Sequence, residues 1–168
     1  MKLYIKWYYG YKNLWDELLL IWLINFFTQK YNPEYIYIQA WDKQFLSDRI
    51  SKNQSYIKFD ISKIEIVSNK QYIYQYYKFR NCHKIIWWWE CISPVAKFPN
   101  WWRKYIIRFR LDIINWNYTL CWWIGTPNQS SKLLYRILLW RARNIIVRDP
   151  ESQNISLIYN KNTELYHD

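Results

Sequence analysis

Two alternating segments flank one apolar, helix-length run in the first third of the chain, and this arrangement limits the fold more than any other feature. Leu3 to Tyr9 (LYIKWYY) and Glu34 to Trp41 (EYIYIQAW) have the alternation and the aromatic, β-branched composition of strands. Between them Asn13 is placed to cap a helix from Leu14 to about Lys30, and Asn32-Pro33 ends it. Leu14, Leu18, Ile21, Trp22 and Asn25 keep helical spacing, and nearly every other position is apolar too, so this helix is expected to be well covered. Its longest uncharged stretch, Leu18 to Gln29, falls well short of the ~18–20 residues that a membrane span needs.

The rest of the chain extends the pattern. Asp42 to Asp60 is polar, lysine-bearing and weakly periodic, and reads as an extended loop. Ile61 to Val67 reads as a third strand, ended by Ser68-Asn69. A fourth strand is expected from near Tyr76 to Ser93-Pro94, long enough to project as an arm. Pro99-Asn100 opens a second helix with Trp102, Ile106, Phe109 and Ile113 on one face, and Asn117 to Ile124 is the last strand. Ser130 to Arg148 is a basic amphipathic segment, and from Asp149 the chain reads as a polar tail whose removal should leave the domain folded. The order strand, helix, strand, strand, helix, strand is that of an α+β ferredoxin-like βαββαβ sandwich with a long projecting hairpin arm and a basic helical C-terminal extension. The expected organisation is therefore one domain over 1–125, a basic extension over 126–148 and a tail over 149–168.

Charge narrows the function classes. Lys and Arg total 24 against 13 Asp and Glu, and a formal charge of +11 on 168 residues calls for a polyanionic partner, either nucleic acid or an anionic membrane surface. Enzymatic readings are poor: there is no Gly-rich phosphate loop, no nucleophile elbow and no His-Glu-x-x-His, and 2 glycines leave little for tight ligand-binding turns. The expectation is a protein that is not an enzyme and carries no cofactor and no metal. The 3 cysteines, Cys82, Cys91 and Cys121, are widely spaced and read as free thiols in or near a core. Asn-x-Ser/Thr at Asn53, Asn117, Asn128 and Asn154 reads as chance in an Asn-rich chain.

Abundant Ile, Lys, Asn and Tyr beside scarce Gly and Ala match AT-rich codons, and 13 Trp match a code in which UGA also specifies Trp. A gene in an AT-rich mitochondrial genome is therefore expected, and aromatic clusters are discounted as functional signals. Trp87-Trp88-Trp89 reads as core or protein interface more readily than as a stacking platform.

Three patterns share one register. YIKWYYGYKNLWDELL joins an aromatic strand to a leucine-bearing helix. SNKQYIYQYYKFRNCHKII sets Asn69, Lys70, Tyr77, Arg80, Lys84, Ile85 and Ile86 in a turn followed by basic and aliphatic pairs, with His83 among them. SPVAKFPNWWRKYIIRFRLDI opens on proline and ends in Arg110, Leu111, Asp112 and Ile113. In this order they resemble small-subunit ribosomal protein ten in its mitochondrial form, over about residues 3 to 124. The proline-rich segment that the family carries after its second strand is missing.

The resemblance implies a structural, rRNA-binding protein of the head of the small mitochondrial ribosomal subunit, in the mitochondrial matrix. Such a protein takes part in translation, has neighbouring head proteins as partners, is a monomer within the ribonucleoprotein and has no small-molecule substrate. The arm from Asn69 to Lys84, with Arg80 and His83, would contact rRNA, so reversing the charges of Lys70, Arg80 and Lys84 should impair incorporation more than folding. Lys6 on the first strand, Lys12, Lys43 and Lys52 on loops and Arg103 on the second helix are further candidate RNA contacts, and Lys132, Arg136, Arg141 and Arg143 are those of the extension. The alternative from another class is a mitochondrially encoded accessory subunit of a respiratory-chain complex. An RNA-recognition module with an open sheet is a third reading, but its Gly-aromatic-Gly signature is missing.

Overall fold

The computed structural model describes residues 1–9, 14–68, 76–87, 118–122 and 132–166. They fall into two compact units, Met1–His83 and Lys84–Asp168. In the first, β1 (Lys2–Tyr9), α1 (Leu14–Tyr31), β2 (Tyr35–Ala40), α2 (Lys43–Lys52) and β3 (Ile64–Ser68) alternate, with strand order β3-β2-β1. A single helical turn, α3 (Tyr76–Phe79), follows and leads to β4 (His83–Trp87). In the second unit β4 is followed in order by β5 (Tyr118–Trp122), β6 (Asn144–Val147) and β7 (Thr163–Leu165), with α4 (Lys132–Arg141) before β6 and α5 (Pro150–Leu157) after it.

Within each unit every described pairing is parallel: β1 with β2, β2 with β3, β4 with β5, β5 with β6 and β6 with β7. The ferredoxin-like sandwich is therefore overturned, because it pairs its strands antiparallel. Parallel neighbours need a crossover rather than a hairpin, and α1, α2, α4 and α5 each stand in one.

The structure bears out β1, α1, β2 and β5 nearly to the residue. Asn32 takes a positive φ of 42° at the end of α1, a left-handed position that asparagine tolerates, and Pro33 prevents continuation. Other expectations are corrected. Asp42 to Asp60 is not an extended loop: Asp42 accepts the backbone N–H of Phe45 at 3.0 Å and starts α2, whose Leu46 and Ile50 are buried one turn apart. The fourth strand does not begin at Tyr76, because 76–79 is helical and pairing starts at His83. The basic segment is a helix only to Arg141 and then becomes β6. The polar tail contains α5 and β7, so its removal takes away part of a sheet. The second helix and the distal part of the arm lie outside the described residues.

Both faces of the first sheet are occupied. Leu3, Ile5, Ile36, Ile38 and Ile66 share one face by register and are all buried, while α1 lies against β1 and α2 against β3. On the other face Tyr4, Tyr37 and Val67 form a cluster with Phe79 and Cys82, so the segment around α3 closes it. Tyr4 donates to Gln39 Oε1 at 3.0 Å, which satisfies the polar end of a fully buried ring. Lys78 Nζ meets both Glu65 oxygens, at 2.8 and 2.9 Å, above the Tyr37 ring. The α1 helix is covered on one side only: Leu20, Leu23, Ile24 and Phe27 are buried, whereas Leu14, Trp15 and Leu18 are exposed.

The core of the second unit is Ile86, Tyr118, Leu120, Ile145 and Val147 beneath Leu138, Leu139 and Ala142, with Ile155, Tyr159 and Leu165 packed against it. Residues of α4, α5 and β7 are thus part of one apolar cluster. Cys82 and Cys121 are buried free thiols, as the spacing predicts, and Cys91 lies outside the described residues.

Candidate nucleic-acid interface

Between Asp112 and Asp149 the sequence has no acidic residue but carries Lys132, Arg136, Arg141, Arg143 and Arg148. The fold gathers these cations along α4 and the two ends of β6. Leu138, Leu139 and Ala142 turn into the core, which leaves Arg136 and Trp140, four positions apart, on the outward side with Arg143 just past the helix end. Trp140 is 62% exposed and Ile137 is 38% exposed, and Arg136 and Arg143 are exposed as well. Arg141 is half-buried on the flank and Arg148 is exposed at the far end of β6.

The platform under this surface is firmly tied. A helix leaves its last carbonyls without partners in the helix. Here Tyr118 donates its hydroxyl to the Leu138 carbonyl at 2.7 Å, and the Asn160 amide donates to the carbonyls of Leu139 and Ala142, both at 2.7 Å. Asn162 donates to the Arg143 carbonyl at 3.3 Å, and the Arg143 N–H donates to the Tyr118 carbonyl at 2.9 Å. Burial pushes the Tyr118 phenol far above its usual range, against the opposing pull of Arg141, so it remains a donor at neutral pH. Asp149, with Pro150 at the first helical position, caps α5 through the Ser152 N–H at 2.8 Å and so sets the approach to Asn160.

The sequence-predicted contacts are placed very differently. Lys43 and Lys52 are exposed on α2, Arg80 is exposed and reaches Asn81 Oδ1 at 3.4 Å, and Lys6 is half-buried in β1. His83 and Lys84 are corrected as surface contacts: both are buried in β4, and the His83 ring lies 5.1 Å from Tyr31. A side chain enclosed this way has no path to a phosphate. Lys12, Asn69, Lys70 and Arg103 lie outside the described residues, and Lys132 is the first residue of α4. In the first unit acids interleave the cations. Arg49 pairs with buried Glu17 at 3.2 Å, Lys63 with Asp60 at 3.7 Å and Lys78 with Glu65.

Sequence reasoning named the arginines of this segment and saw Trp140 among them, but not that its side chain is exposed. The acid-free run between Asp112 and Asp149 was the signal that marks the region. Among the described residues no group of His, Cys, Asp and Glu is arranged to hold a metal ion, and no helix is long and apolar enough to cross a membrane. Comparison with protein families, with curated proteins and with solved structures finds no match to the chain.

Proposed function

We propose that this protein is an RNA-binding structural component of a ribonucleoprotein, and that the particle is the small subunit of a mitochondrial ribosome. The observation that carries the reading is the net charge of +11 together with the exposed arginines that an acid-free stretch of sequence places on α4 and at the ends of β6. Such a surface binds a phosphate backbone by counterion release, an affinity that falls steeply with salt and needs no catalytic group. The resemblance to ribosomal protein ten lends less, because the sandwich it implies is replaced by parallel sheets and its Lys84 and His83 are buried. What remains of it is the suggestion of a particle, and the AT-rich composition agrees with an organellar one.

The test is sedimentation of detergent-solubilised mitochondria through a sucrose gradient, with and without RNase, locating the protein by mass spectrometry. Migration with the small ribosomal subunit, abolished by RNase, is the expected result. Migration with a respiratory complex, indifferent to RNase, would overturn the proposal in favour of the accessory-subunit reading.

A further inference from the structure

From the outward side of α1 we infer a second surface: this stripe of the first unit lies on an anionic lipid bilayer, its leucines at the acyl boundary and the lysines beside it among the headgroups. The inference goes beyond RNA binding and does not depend on it. Leu14, Leu18, Ile21 and Asn25 follow one another at helical spacing, on the side of α1 opposite to buried Leu20, Leu23 and Phe27. Leu14 is 61% and Leu18 50% exposed, and Trp15 beside them is 78% exposed. Single exposed leucines need no explanation, but a stripe of them on a helix whose other side already fills a core marks a contact surface.

The neighbouring segment supplies the charge. Arg49 of α2 pairs with Glu17 at 3.2 Å near the start of α1. Further along, the Asn25 side chain donates to the Tyr56 carbonyl at 2.8 Å and accepts the Lys58 N–H at 2.7 Å. The chain from Arg49 to Lys58 therefore borders the stripe and carries Lys52, Tyr56 and Lys58 along its edge. Tyr56 is 69% exposed, both lysines are exposed, and among the described residues neither lysine is held in an ion pair. The acids of these elements have partners of their own: Glu17 has Arg49, Asp42 the Phe45 N–H, Asp48 the Gln44 amide, and Asp60 both Ser62 and Lys63, while Asp16 is half-buried.

Apolar side chains bordered by cations fit anionic lipid, where burial of apolar area and attraction to the headgroups add. A second copy of the chain fits less well, because it would set +11 against +11. Four exposed apolar and aromatic side chains also fall short of the ~20–30 residues a side that a stable protein interface takes. No helix among the described residues is long and apolar enough to cross a membrane, so α1 would lie along the surface.

The experiment floats the full chain, freed of RNA by nuclease, through a density gradient with vesicles of phosphatidylcholine alone or of phosphatidylcholine with phosphatidylserine. Circular dichroism checks that each variant is folded. The chain is expected to rise with the anionic vesicles and to stay behind with the neutral ones. Leu14→Ser/Leu18→Ser leaves the charge unchanged and is expected to weaken binding to anionic vesicles at least ~10-fold. Lys52→Gln/Lys58→Gln is expected to weaken it about 5-fold for each charge removed. If the leucine variant binds as tightly as the unmodified chain, charge alone accounts for binding and the inference is overturned. It is overturned equally if the unmodified chain ignores anionic vesicles. Light scattering without vesicles covers the remaining occupant: a dimer that the leucine variant dissolves would assign the stripe to a second copy and overturn the lipid reading.

Discussion

Asn160→Ala isolates what holds the α4 platform. The substitution removes two hydrogen bonds of 2.7 Å to the carbonyls of Leu139 and Ala142, at a partly buried site. It also removes the acceptor of the Asn162 N–H, which is exposed and can turn to water. A neutral hydrogen bond contributes a net ~0.5–1.5 kcal/mol, and the Leu139 carbonyl keeps the Ala142 N–H at 3.3 Å, so the expected loss for the two bonds is about 1–3 kcal/mol. For a chain of this length that corresponds to a fall in thermal midpoint of roughly 2–12 °C. Urea unfolding followed by circular dichroism measures it, and an unchanged slope with a lowered midpoint identifies the loss as one of stability. Asn160→Asp sharpens the test, because it sets a carboxylate against two carbonyl oxygens and is expected to be worse than alanine at pH 7. Part of that deficit should be recovered as pH falls through the carboxylate range and the acid gains a proton to donate. A loss below about 0.5 kcal/mol for Asn160→Ala, or an Asn160→Asp variant more stable than the alanine one, would refute the claim that this amide caps α4.

Two further outcomes are expected. Deleting residues 149–168 removes α5, β7 and the Asn160 cap, and with them Ile155, Tyr159 and Leu165 from the core of the second unit; limited proteolysis should then cut within 84–148 while 1–68 survives, and an unchanged digestion pattern would show that β7 is dispensable. Tyr118 is buried with its phenol shifted upward, so the native state keeps a proton that the unfolded state releases near pH 10; the stability it supports is complete below that pH and is lost as pH rises beyond it. Tyr118→Phe should cost about 1 kcal/mol at pH 7 and show a shallower alkaline decline, and parallel pH profiles for the two proteins would count against this.

How much of this was legible in the sequence depended on whether a pattern had one physical meaning. The α1 boundaries were readable because Asn32-Pro33 stops a helix for stereochemical reasons that no context reverses. The strands β1 and β2 were readable as strands, but not as parallel ones. Tyr4, Tyr37 and Gln39 alternate with aliphatics in the way a half-exposed antiparallel sheet does, yet here the tyrosine face is closed by Phe79 and Cys82. The α2 helix was hidden because only Leu46 and Ile50 face the core, too few to show a period, although Asp42 offered a cap. Asp149-Pro150 was ambiguous in kind: proline after a polar residue breaks a preceding helix and equally begins a following one, and here it begins α5. Of the candidate site, the arginines were visible as charge. The exposure of Trp140 was not, since among 13 tryptophans only the fold distinguishes an exposed ring from core.

The parallel connectivity also sets a schedule for assembly. None of the described pairings joins strands through a tight hairpin, so each must wait for a crossover segment to be made and placed. Such long-range closure is intrinsically slow compared with hairpin formation. Synthesis from the amino terminus delivers β1, α1, β2, α2 and β3 as a consecutive set, so the first unit can close while the chain is still growing. The second unit closes later, because β7, at the end of its sheet, follows β4, β5 and β6 in the chain. The end of α4, tied by Asn160, therefore takes its final form only after α5 and the residues just past it have been made.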